Sequence, residues 1–576
     1  MTKSMLHFYE NSAIDVDEFS DSEAKDLDTV VTNVNDNIYA WKIGDALTPE
    51  QAGALLSRYS RTSLTGRRLY LKEFLPNKHR GSEFFNAWLV DYGDDSIQEM
   101  AGGIPTSCEY ISNVAAKEIE DSRMGSYIEK STRYVSFDKK FKNGDYMFYK
   151  DPAIMSSKFA DDYLALMTDL FDSYIKHTEP MSKYIKDNNP IDKQKFNIGN
   201  HIINISELSS KLEEELGVTA QDLQKSYDNA IKANALDFMR DYLPMSILTH
   251  VGVSMNARSY ENTIIKLLSS PLYECNSIGN KMHAELSKVV PSLLNRINEK
   301  HGLAQRAYIS STRHDTLSTV TNLTHNIRLK EDKELIRLVD YTGKGSKDPD
   351  MVAENDLAAF IIYKAGNGYS LAQCKEIAAS LNKGQKDLII SKYIGERKNR
   401  RHKPGRAFEN IYYTFDSCCR IGIYRDLQRH RIGTQERQSF TVRHGYNMRD
   451  QYRHIGIDED YLSKVHRVIE LYNKIAQTMP YQAQYVVTFG FNIRWYYTFN
   501  ARQLFHFCEL RTGPGGHPDY RDLTQKAFHE VAKVHPSISK HLNFINLEAK
   551  HLGRLESEIR IAQKKNKLEN QQKQGA

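Results

Sequence analysis

The sequence predicts an α+β fold, rich in helices, that consists of two tandem copies of one unit. Three observations support this prediction. Four landmarks recur in the same order in both halves of the chain. Helical periodicity dominates the stretches between them, as in "DLAAFIIYKAG", "LAQCKEIAASL" and "EDYLSKVHRVIELYNKIAQ". The segment "KELIRLVDYTGKGSKDPD" predicts a strand followed by a turn-rich loop.

The landmarks are a glutamate, an arginine, a serine and an Asn-Ala-Arg triplet. They are Glu99, Arg123, Ser131 and Asn256-Ala257-Arg258 in the first half, and Glu409, Arg431, Ser439 and Asn500-Ala501-Arg502 in the second. In both halves the serine follows the arginine by eight residues, and the glutamate precedes the serine by 32 residues in the first half and by 30 in the second. Chance is a poor explanation for this agreement, so we predict an internal duplication.

The repeat sets the predicted domain boundaries. The first copy covers residues 1–310 and contains an insertion at about 185–230 that is rich in Asn, Lys and Glu. The second copy covers residues 325–550, and the polar stretch at 300–330, which lacks a clear period, separates the two. Residues 551–576 are expected to form a charged helix that frays into a disordered tail.

Composition excludes several classes of protein. The 576 residues suffice for two to four domains, and a net charge of +5 against 78 basic and 73 acidic residues does not by itself indicate a nucleic-acid binder. Six scattered cysteines predict neither a disulfide framework nor a zinc site. The acidic N-terminus has no apolar core of a signal peptide, and no stretch is apolar enough to span a membrane. We therefore expect a cytoplasmic protein.

Standard catalytic motifs are absent: the sequence contains no dinucleotide-binding GxGxxG unit, P-loop, HExxH or GxSxG element. The pair Cys418-Cys419 lies in an apolar run and is expected in the core rather than as a nucleophile.

The run Arg429-His430-Arg431 places three cationic or near-cationic side chains in a row within "RDLQRHRIGTQERQSF". Like charges repel, so this arrangement suits an anionic ligand, and the planar fork of arginine matches phosphates and planar heterocycles. His430 would contact an electron-rich ring or transfer a proton near neutral pH. The alternative is a solvated basic patch at a helix end.

The spacing of Arg-His-Arg, seven residues and then Ser439 is similar to the signature of the flavin-dependent thymidylate synthases. "RAFEN" resembles the Phe-Glu-His element of that family, with Asn410 in place of the histidine. "FNARQLFHFCELR" resembles its Asn-Ala-Arg helix, and "YIEKSTRYV" resembles its Glu-x-Ser-x-Arg-Tyr nucleotide loop. Together these resemblances cover most of the chain as two tandem copies.

The resemblance implies a fold and a reaction. Each copy would contain a twisted β-sheet flanked by helices. The protein would be a methyltransferase that converts dUMP to dTMP with methylenetetrahydrofolate and with FAD that NADPH reduces. Family members are usually single-copy homotetramers with active sites between subunits, so a tandem chain would form a similar assembly as a homodimer. Nucleic acid is a possible but not favoured partner, and no membrane is expected.

The resemblance also assigns residues to roles, none of them metal binding. The catalytic residues would be Arg429, His430, Arg431 and Ser439. The flavin pocket would be lined by Glu409, Asn500, Arg502, His506, Asn256, Arg258 and Asn262. The nucleotide would be held by Glu129, Ser131, Arg133, Arg240 and Arg511.

The two copies depart from the family pattern in complementary ways. The first has Asp121-Ser122 in place of Arg-His, and Leu267 where the second has Arg511. The second has Gln484 where the first has Arg240, and Thr441 where the first has Arg133. We therefore expect that each surviving site combines residues of both copies.

Two other clusters have open interpretations. The basic segment "GERKNRRHKPGR" (395–406) is either a solvated loop or a site for the phosphates of NADPH or FAD, for the folate glutamate tail or for RNA. The segment "HPDY" with Arg521 is expected to cap and pack a helix start.

Three functions are thus compatible with the sequence. The leading one is a flavin-dependent thymidylate synthase. The second keeps flavin and folate but acts on uracil in another nucleotide or in tRNA or DNA. The third is a non-catalytic nucleotide-binding homologue.

Overall fold

The computed structural model describes residues 18–77, 81–82, 95–328, 330, 334–366, 368–548 and 552–574. These residues form two compact units. Unit 1 draws them from 1–184, 232–331 and 448–490, and unit 2 from 185–231, 332–447 and 491–576. The units thus differ from the halves of the sequence, because 185–231 groups with unit 2 and 448–490 with unit 1. The repeat boundaries at 310 and 325 stay a prediction.

The described secondary structure is mixed, as predicted. The strands are β1 (Ile38–Ala40), β2 (Ile104–Ser112), β3 (Ser126–Glu129), β4 (Phe196–Ile198), β5 (His201–Ile203), β6 (Leu248–Met255), β7 (Ile336–Tyr341), β8 (Tyr412–Arg420), β9 (Thr434–Arg437) and β10 (Asn492–Asn500). The helices of the first part of the chain are α1 (Asp21–Asp28), α2 (Pro49–Ser57), α3 (Gly66–Leu69), α4 (Asn113–Glu120), α5 (Pro152–Met155), α6 (Ala160–Asn188), α7 (Ser210–Leu216), α8 (Ala220–Met239), α9 (Ala257–Leu268), α10 (Tyr273–Ser287), α11 (Pro291–Leu294) and α12 (Lys300–Thr324). Those that follow are α13 (Pro349–Ala365), α14 (Leu371–Ser380), α15 (Lys383–Ile394), α16 (Ile421–Leu427), α17 (Asp450–His454), α18 (Asp458–Ala476), α19 (Ala501–Arg511), α20 (Pro518–Val534), α21 (Pro536–Ser539) and α22 (Leu555–Gln574).

Each unit contains one four-stranded antiparallel sheet, and the two sheets have the same topology. The order is β1-β2-β6-β3 in unit 1 and β7-β8-β10-β9 in unit 2. In both, the second strand leads into a short helix, α4 or α16, and the third strand of the sheet leads into the Asn-Ala-Arg helix, α9 or α19. This agreement confirms the predicted tandem architecture, with a sheet flanked by helices in each copy.

The two sheets differ in how their faces are covered. Every residue of β6 is buried, and a Cβ atom on Gly252 would lie 3.0 Å from the Tyr59 ring and 3.1 Å from Leu56. The helix α2 and the turn that follows it therefore press on this face of the first sheet. In β10, by contrast, burial alternates along the strand. One face of the second sheet packs inward through Phe415, Tyr497 and other aromatic residues, and the other is partly exposed.

Most local predictions agree with these elements. The three helical segments lie in α13, α14 and α18, and the predicted strand is β7. The polar stretch at 300–330 contains the helix α12, in which Gly302 is the buried residue. Its lack of an apolar period follows from this exposure, because an exposed helix needs no apolar face.

The insertion and the C-terminal helix pack together within unit 2. Asn197 Nδ2 donates to Glu556 at 2.9 Å, and Gln563 Nε2 donates to the carbonyl of Leu216 at 2.8 Å. The predicted charged helix at the C-terminus is thus α22, whose described part is anchored to the insertion.

The described part of the chain has no helix with the length and apolar character to cross a membrane. Nor do the described side chains include a group of three or more His, Cys, Asp or Glu that would hold a metal ion. Cys418 and Cys419 are buried, as expected for core residues, and burial raises the pKa of Cys419 to about 12.

Candidate functional site

The Arg-His-Arg run forms a turn between the end of α16 and the start of β9. Arg429 is exposed, His430 is buried and Arg431 is half-buried. The side-chain amide of Gln435 donates to the carbonyl of His430 and, at 3.4 Å, to that of Gln428. These bonds tie the turn to the strand that follows it.

Glycine is required at the end of this turn. A Cβ atom on Gly433 would lie 2.3 Å from the ring of Phe499, which is closer than real contacts allow. The turn therefore approaches β10 closely, and the sequence Arg-Ile-Gly-Thr meets this steric demand.

The imidazole of His430 joins the turn to the Asn-Ala-Arg helix α19. Its Nε2 accepts a hydrogen bond of 2.7 Å from Arg511 Nε, and the side-chain amide of Gln503 lies 3.5 Å from its Nδ1. The rings of Phe507 and His506 pack around it at 4.9 and 5.7 Å. Burial lowers the pKa of His430 well below its usual range, and the charge of Arg511 lowers it further. His430 is thus a neutral acceptor that orients Arg511.

Positive charge is concentrated around Arg511. Burial lowers the pKa of its guanidinium, and the charge of Arg429 adds to this effect while Tyr520 and Asp426 oppose it. The guanidinium carbon also lies 5.6 Å from the centroid of the Tyr520 ring. The guanidinium of Arg511 is thus under the influence of a second arginine and of one carboxylate.

The start of α19 holds the second group of predicted residues. Arg502 Nη1 pairs with Glu409 Oε1 at 3.0 Å, and Arg502 Nε donates to the carbonyl of Pro404 at 2.8 Å. Asn500 caps the helix by accepting from the backbone N–H of Gln503 at 2.8 Å. These contacts join the Phe-Glu-Asn element to the Asn-Ala-Arg helix. Ser439, the last residue of the signature, is exposed beyond the end of β9.

In unit 1, the Asn-Ala-Arg helix is built in the same way. Asn256 caps α9 by accepting from the backbone N–H of Ser259 at 2.9 Å, and Arg258 and Asn262 are exposed. Arg240 is buried at the end of α8. The matching caps explain why the triplet recurs: an asparagine ends the strand and starts the helix in both copies.

The nucleotide-loop residues of the first copy are engaged by protein partners. Glu129 is buried and accepts from Lys117 Nζ at 3.0 Å. Arg133 makes a two-point ion pair with Asp237, at 2.9 and 3.3 Å, and its backbone N–H donates to Ser131 Oγ at 3.2 Å. The loop is therefore held in place by two ion pairs.

Several of these partners were not predicted from the sequence. Lys117 pairs with Glu129 and also with the buried Glu120, and Gln435 holds the Arg-His-Arg turn. The repeat contains a signal for the first: Lys117 precedes Arg123 by six residues, as Arg425 precedes Arg431. No comparable signal marks Asp237 or Gln435.

The predicted site residues therefore fall into two groups. Unit 2 holds Arg429, His430, Arg431, Ser439, Glu409, Asn500, Arg502, His506 and Arg511. Unit 1 holds Glu129, Ser131, Arg133, Arg240, Asn256, Arg258 and Asn262. Within unit 2 the signature turn and α19 are in direct contact, and within unit 1 the loop is braced by Lys117 and Asp237.

The two remaining clusters have different structures. In the basic segment 395–406, Arg397 is buried and pairs with Glu509, while most other basic side chains are exposed. In "HPDY", His517 caps α20 and its Nδ1 accepts from the backbone N–H of Asp519 at 3.0 Å. The predicted capping role is confirmed.

Comparison with known proteins places the chain in a family. The family model described as thymidylate synthase complementing protein matches residues 45–292 and 337–537. A UPF0159 protein of Chlamydia pneumoniae is 32% identical over 94% of this chain and 98% of its own length. A UPF0159 protein of Thermoplasma acidophilum is 32% identical over 88% of this chain and 98% of its own.

Among solved structures, a UMP/dUMP methylase from Streptomyces cacaoi, PolB, bound with 5-Br dUMP, is 20% identical. The match covers 37% of this chain and 96% of that one, and its TM-score of 0.26 is too low to support an argument. The family assignment depends instead on the two matched segments, which correspond to the two copies of the repeat. The chain belongs to the thymidylate synthase complementing protein family, as a tandem duplication.

Proposed function

We propose that the protein is a flavin-dependent thymidylate synthase that methylates dUMP to dTMP with methylenetetrahydrofolate, using FAD that NADPH reduces. The observation that supports this most directly is the bond from Arg511 to His430. It joins the Arg-His-Arg turn to the Asn-Ala-Arg helix, two motifs that are far apart in the sequence. Membership in the thymidylate synthase complementing protein family supports the same reaction class.

The side chains of unit 2 fit an anionic cofactor such as FAD. Arg429, Arg431 and Arg511 offer planar donors for a diphosphate, while the neutral His430 adds no charge to the repulsion among them. Glu409 and Arg502, joined by their ion pair, would line the same cofactor site. When bound and reduced, FAD supplies the hydride of the reaction.

The residues of this chain would act by binding and positioning. His430 accepts from Arg511 Nε and so fixes the direction of that guanidinium before any ligand arrives. The side chain of Gln435 bonds to the backbone of the turn and so fixes the positions from which Arg429 and Arg431 extend. Preorganised donors of this kind stabilise an anion without reorganisation at the moment of reaction.

The nucleotide would be bound through the first-copy loop. Ser131 and Arg133 supply a hydroxyl and a guanidinium, which suit a phosphate monoester. Asp237 offsets part of the charge of Arg133, so a phosphate would share that guanidinium with the carboxylate. Arg240 would add a buried cation.

The test is a purified full-length protein incubated with FAD, freed of excess ligand and assayed for bound flavin by its visible absorption. The loaded protein then receives NADPH, methylenetetrahydrofolate and dUMP, and dTMP is detected by mass spectrometry. Reactions without FAD and without methylenetetrahydrofolate are the controls. We expect bound flavin and dTMP that depends on both omitted components.

Other outcomes separate the alternatives. A protein that binds no flavin would contradict the proposal and favour a non-catalytic homologue. A flavin-loaded protein that leaves dUMP unchanged but methylates uracil in an oligonucleotide would move the substrate to a polynucleotide.

A further inference from the structure

The second sheet presents an exposed face with two tyrosines. Tyr412 pairs with Asn500 and Asp416 pairs with Tyr496, so these side chains lie on the same face of β8 and β10. Tyr413 and Phe415, which alternate with these residues along β8, are buried on the opposite face. Tyr412 is 50% exposed and Tyr496 is 40% exposed, which leaves two aromatic rings available to a partner.

The rest of this face is polar. Thr414 and Thr498 are linked through their hydroxyl groups at 2.9 Å, and Arg494 forms an ion pair with Asp416. A permanent protein–protein interface resembles a domain core cut in half, and this face does not. Isolated aromatic rings among satisfied polar groups are better suited to stacking with flat polar rings, such as nucleobases.

The basic segment 395–406 supplies positive charge at one end of this face. Its exposed cations are Lys398, Arg401, Lys403 and Arg406. Asn500 lies opposite Tyr412 in the sheet, and Arg502 follows Asn500 by two residues. Arg502 Nε donates to the carbonyl of Pro404, within the basic segment, at 2.8 Å. The cations therefore lie near the end of the sheet that carries Tyr412.

The segment is preorganised by one buried arginine. Arg397 makes a two-point ion pair with Glu509, at 2.7 and 2.5 Å, and its guanidinium carbon lies 5.2 Å from the centroids of Phe505 and Phe544. Arg397 Nε also donates to the carbonyl of His402 at 2.6 Å. The exposed cations are thus presented from an anchored loop, which reduces the entropy that a ligand must remove.

We propose that this surface, made of segment 395–406 and the Tyr412–Tyr496 face, binds single-stranded polynucleotide. The phosphates lie against the basic segment, and bases stack on the two tyrosine rings. Glu436, which is exposed, lies opposite Tyr496 on the neighbouring strand β9. Because its carboxylate repels phosphates, bases rather than phosphates lie at the Tyr496 end of the face. A duplex would offer its phosphates but not its base faces, which are stacked on each other, so the tyrosine rings favour a single strand. The inference does not depend on the proposed function, since it requires neither flavin nor folate.

The test is fluorescence anisotropy with the full-length protein and labelled strands of about twelve nucleotides, oligouridine and its deoxy counterpart. We expect saturable binding that weakens as salt rises from about 50 to 200 mM. The variant Lys398→Ala/Arg401→Ala/Lys403→Ala should bind at least about tenfold more weakly and reduce the salt slope by about 2, since each phosphate contact on a single strand contributes about 0.7.

A second variant separates stacking from charge. Tyr412→Ala/Tyr496→Ala should bind at least about fivefold more weakly with an unchanged salt slope, and the corresponding double change to Phe should bind like the parent protein. The matched control is Lys526→Ala/Lys533→Ala/Lys540→Ala, which removes equal charge from exposed lysines elsewhere in unit 2. It should leave binding unchanged.

Several results would overturn the proposal. One is an absence of binding at about 50 mM salt, and another is an equal loss of affinity in the basic-segment variant and in its lysine control. A third is that polyglutamate displaces the strand while the tyrosine changes have no effect on binding. Sedimentation provides a further check. If the parent protein is a dimer and the tyrosine-to-alanine variant is a monomer, a second copy of the chain occupies this face and the proposal is wrong. A circular dichroism spectrum and a thermal unfolding midpoint like those of the parent protein would show that each variant is folded.

Discussion

The two copies of the repeat carry opposite charge at the same place in the fold. In each, a short helix leads through a turn to the edge strand of the sheet. Six aligned positions surround this turn. They are Lys117, Glu120, Asp121, Ser122, Arg123 and Glu129 in the first copy, and Arg425, Gln428, Arg429, His430, Arg431 and Arg437 in the second. The first set has three carboxylates against two cations, and the second has four arginines and no carboxylate.

This difference is visible in the contacts. In the first copy Lys117 is fully buried and bonds to both Glu120 and Glu129, so its charge is neutralised by its own chain. In the second copy the aligned carboxylates are absent, and His430 is a neutral acceptor beside Arg511. With the other charged residues of these stretches included, Glu118, Lys130, Asp426 and Glu436, the net charge is −1 for residues 117–130 and +2 for residues 425–438. The first turn thus neutralises its buried lysine with two carboxylates of its own unit, whereas the second turn is rich in arginine.

The sheets extend the same contrast. The face of the first sheet that contains Gly252 is covered by α2 and the turn after it. The second sheet has one face on which Tyr412 and Tyr496 are exposed. In the described part of the chain, the two copies thus share a hydrogen-bonded sheet but differ in the exposure of this face.

The ion-pair cluster of the first copy should be essential for stability. Lys117→Met leaves Glu120 and Glu129 buried without their cation, which should lower the free energy of unfolding by about 3–5 kcal/mol. Urea titration of the full-length protein measures this loss. The deficit should shrink at acid pH, because protonation removes the uncompensated charge of the carboxylates.

A compensated variant provides the control. Lys117→Met/Glu120→Gln/Glu129→Gln removes the whole charged cluster and should recover much of the lost stability, since replacing all partners of a buried ion pair costs less than removing one. If the single and triple variants are equally unstable, packing of the lysine stem rather than charge holds this turn.

The arginines of the second copy should matter for ligand affinity rather than for stability. Arg429→Ala should weaken FAD binding roughly tenfold to hundredfold, because a lost charge-assisted hydrogen bond is worth about 1.5–3 kcal/mol. Flavin titration followed by absorption measures the change. The matched control is Arg123→Ala, at the corresponding turn of the first copy, which should leave flavin affinity unchanged. An equal loss in both variants would contradict the division between the copies.

The buried imidazole of the second copy should give a distinct pH dependence. Because the pKa of His430 is lowered below its ordinary value of 6.5, the unfolded chain takes up a proton there that the folded chain does not. The neutral imidazole therefore costs no stability above pH 6.5. Below pH 6.5 the free energy of unfolding falls by about 1.4 kcal/mol per pH unit, because the unfolded chain binds the proton.

Comparison with His430→Gln isolates this term. Glutamine keeps an acceptor for Arg511 but does not titrate, so the variant should lose less stability than the parent protein between about pH 7 and pH 5. Other buried histidines, such as His250, contribute equally to both proteins. Identical pH profiles would mean that His430 is not a neutral buried acceptor.

Much of the framework could be predicted from the sequence because it depends on local signals. The recurrent Asn-Ala-Arg triplet marks a strand-to-helix junction, and both asparagines are helix caps. The start of α20 at "HPDY" is equally local, because His517 accepts a hydrogen bond from the backbone N–H of Asp519, only two residues further on. The residues of such a cap lie within one helical turn of each other, so the sequence around them is sufficient to predict it.

What could not be predicted depends on distant partners. Arg397 lies in a run of charges that is typical of a solvated loop, yet it is buried because Glu509, 112 residues away, pairs with it. Likewise, no local signal beside "RHR" marks Arg511, 81 residues further along the chain, as the donor to the ring of His430. Charged clusters can be seen in the sequence, but tertiary contacts decide which of their cations are buried in ion pairs and which are exposed.

The smallest expected effect concerns the nucleotide loop of the first copy. Arg133→Ala should weaken dUMP binding by about fivefold and leave FAD affinity unchanged, because Arg133 already shares its guanidinium with Asp237 and so gives a phosphate only part of a charge-assisted hydrogen bond. Calorimetric titration of the flavin-loaded protein with dUMP measures the first value, and absorption measures the second. Asp237→Asn is the matched control, since it releases Arg133 from its carboxylate and should strengthen dUMP binding slightly. Equal losses of dUMP and FAD in Arg133→Ala would show that the loop supports the fold of both copies and is not a nucleotide contact.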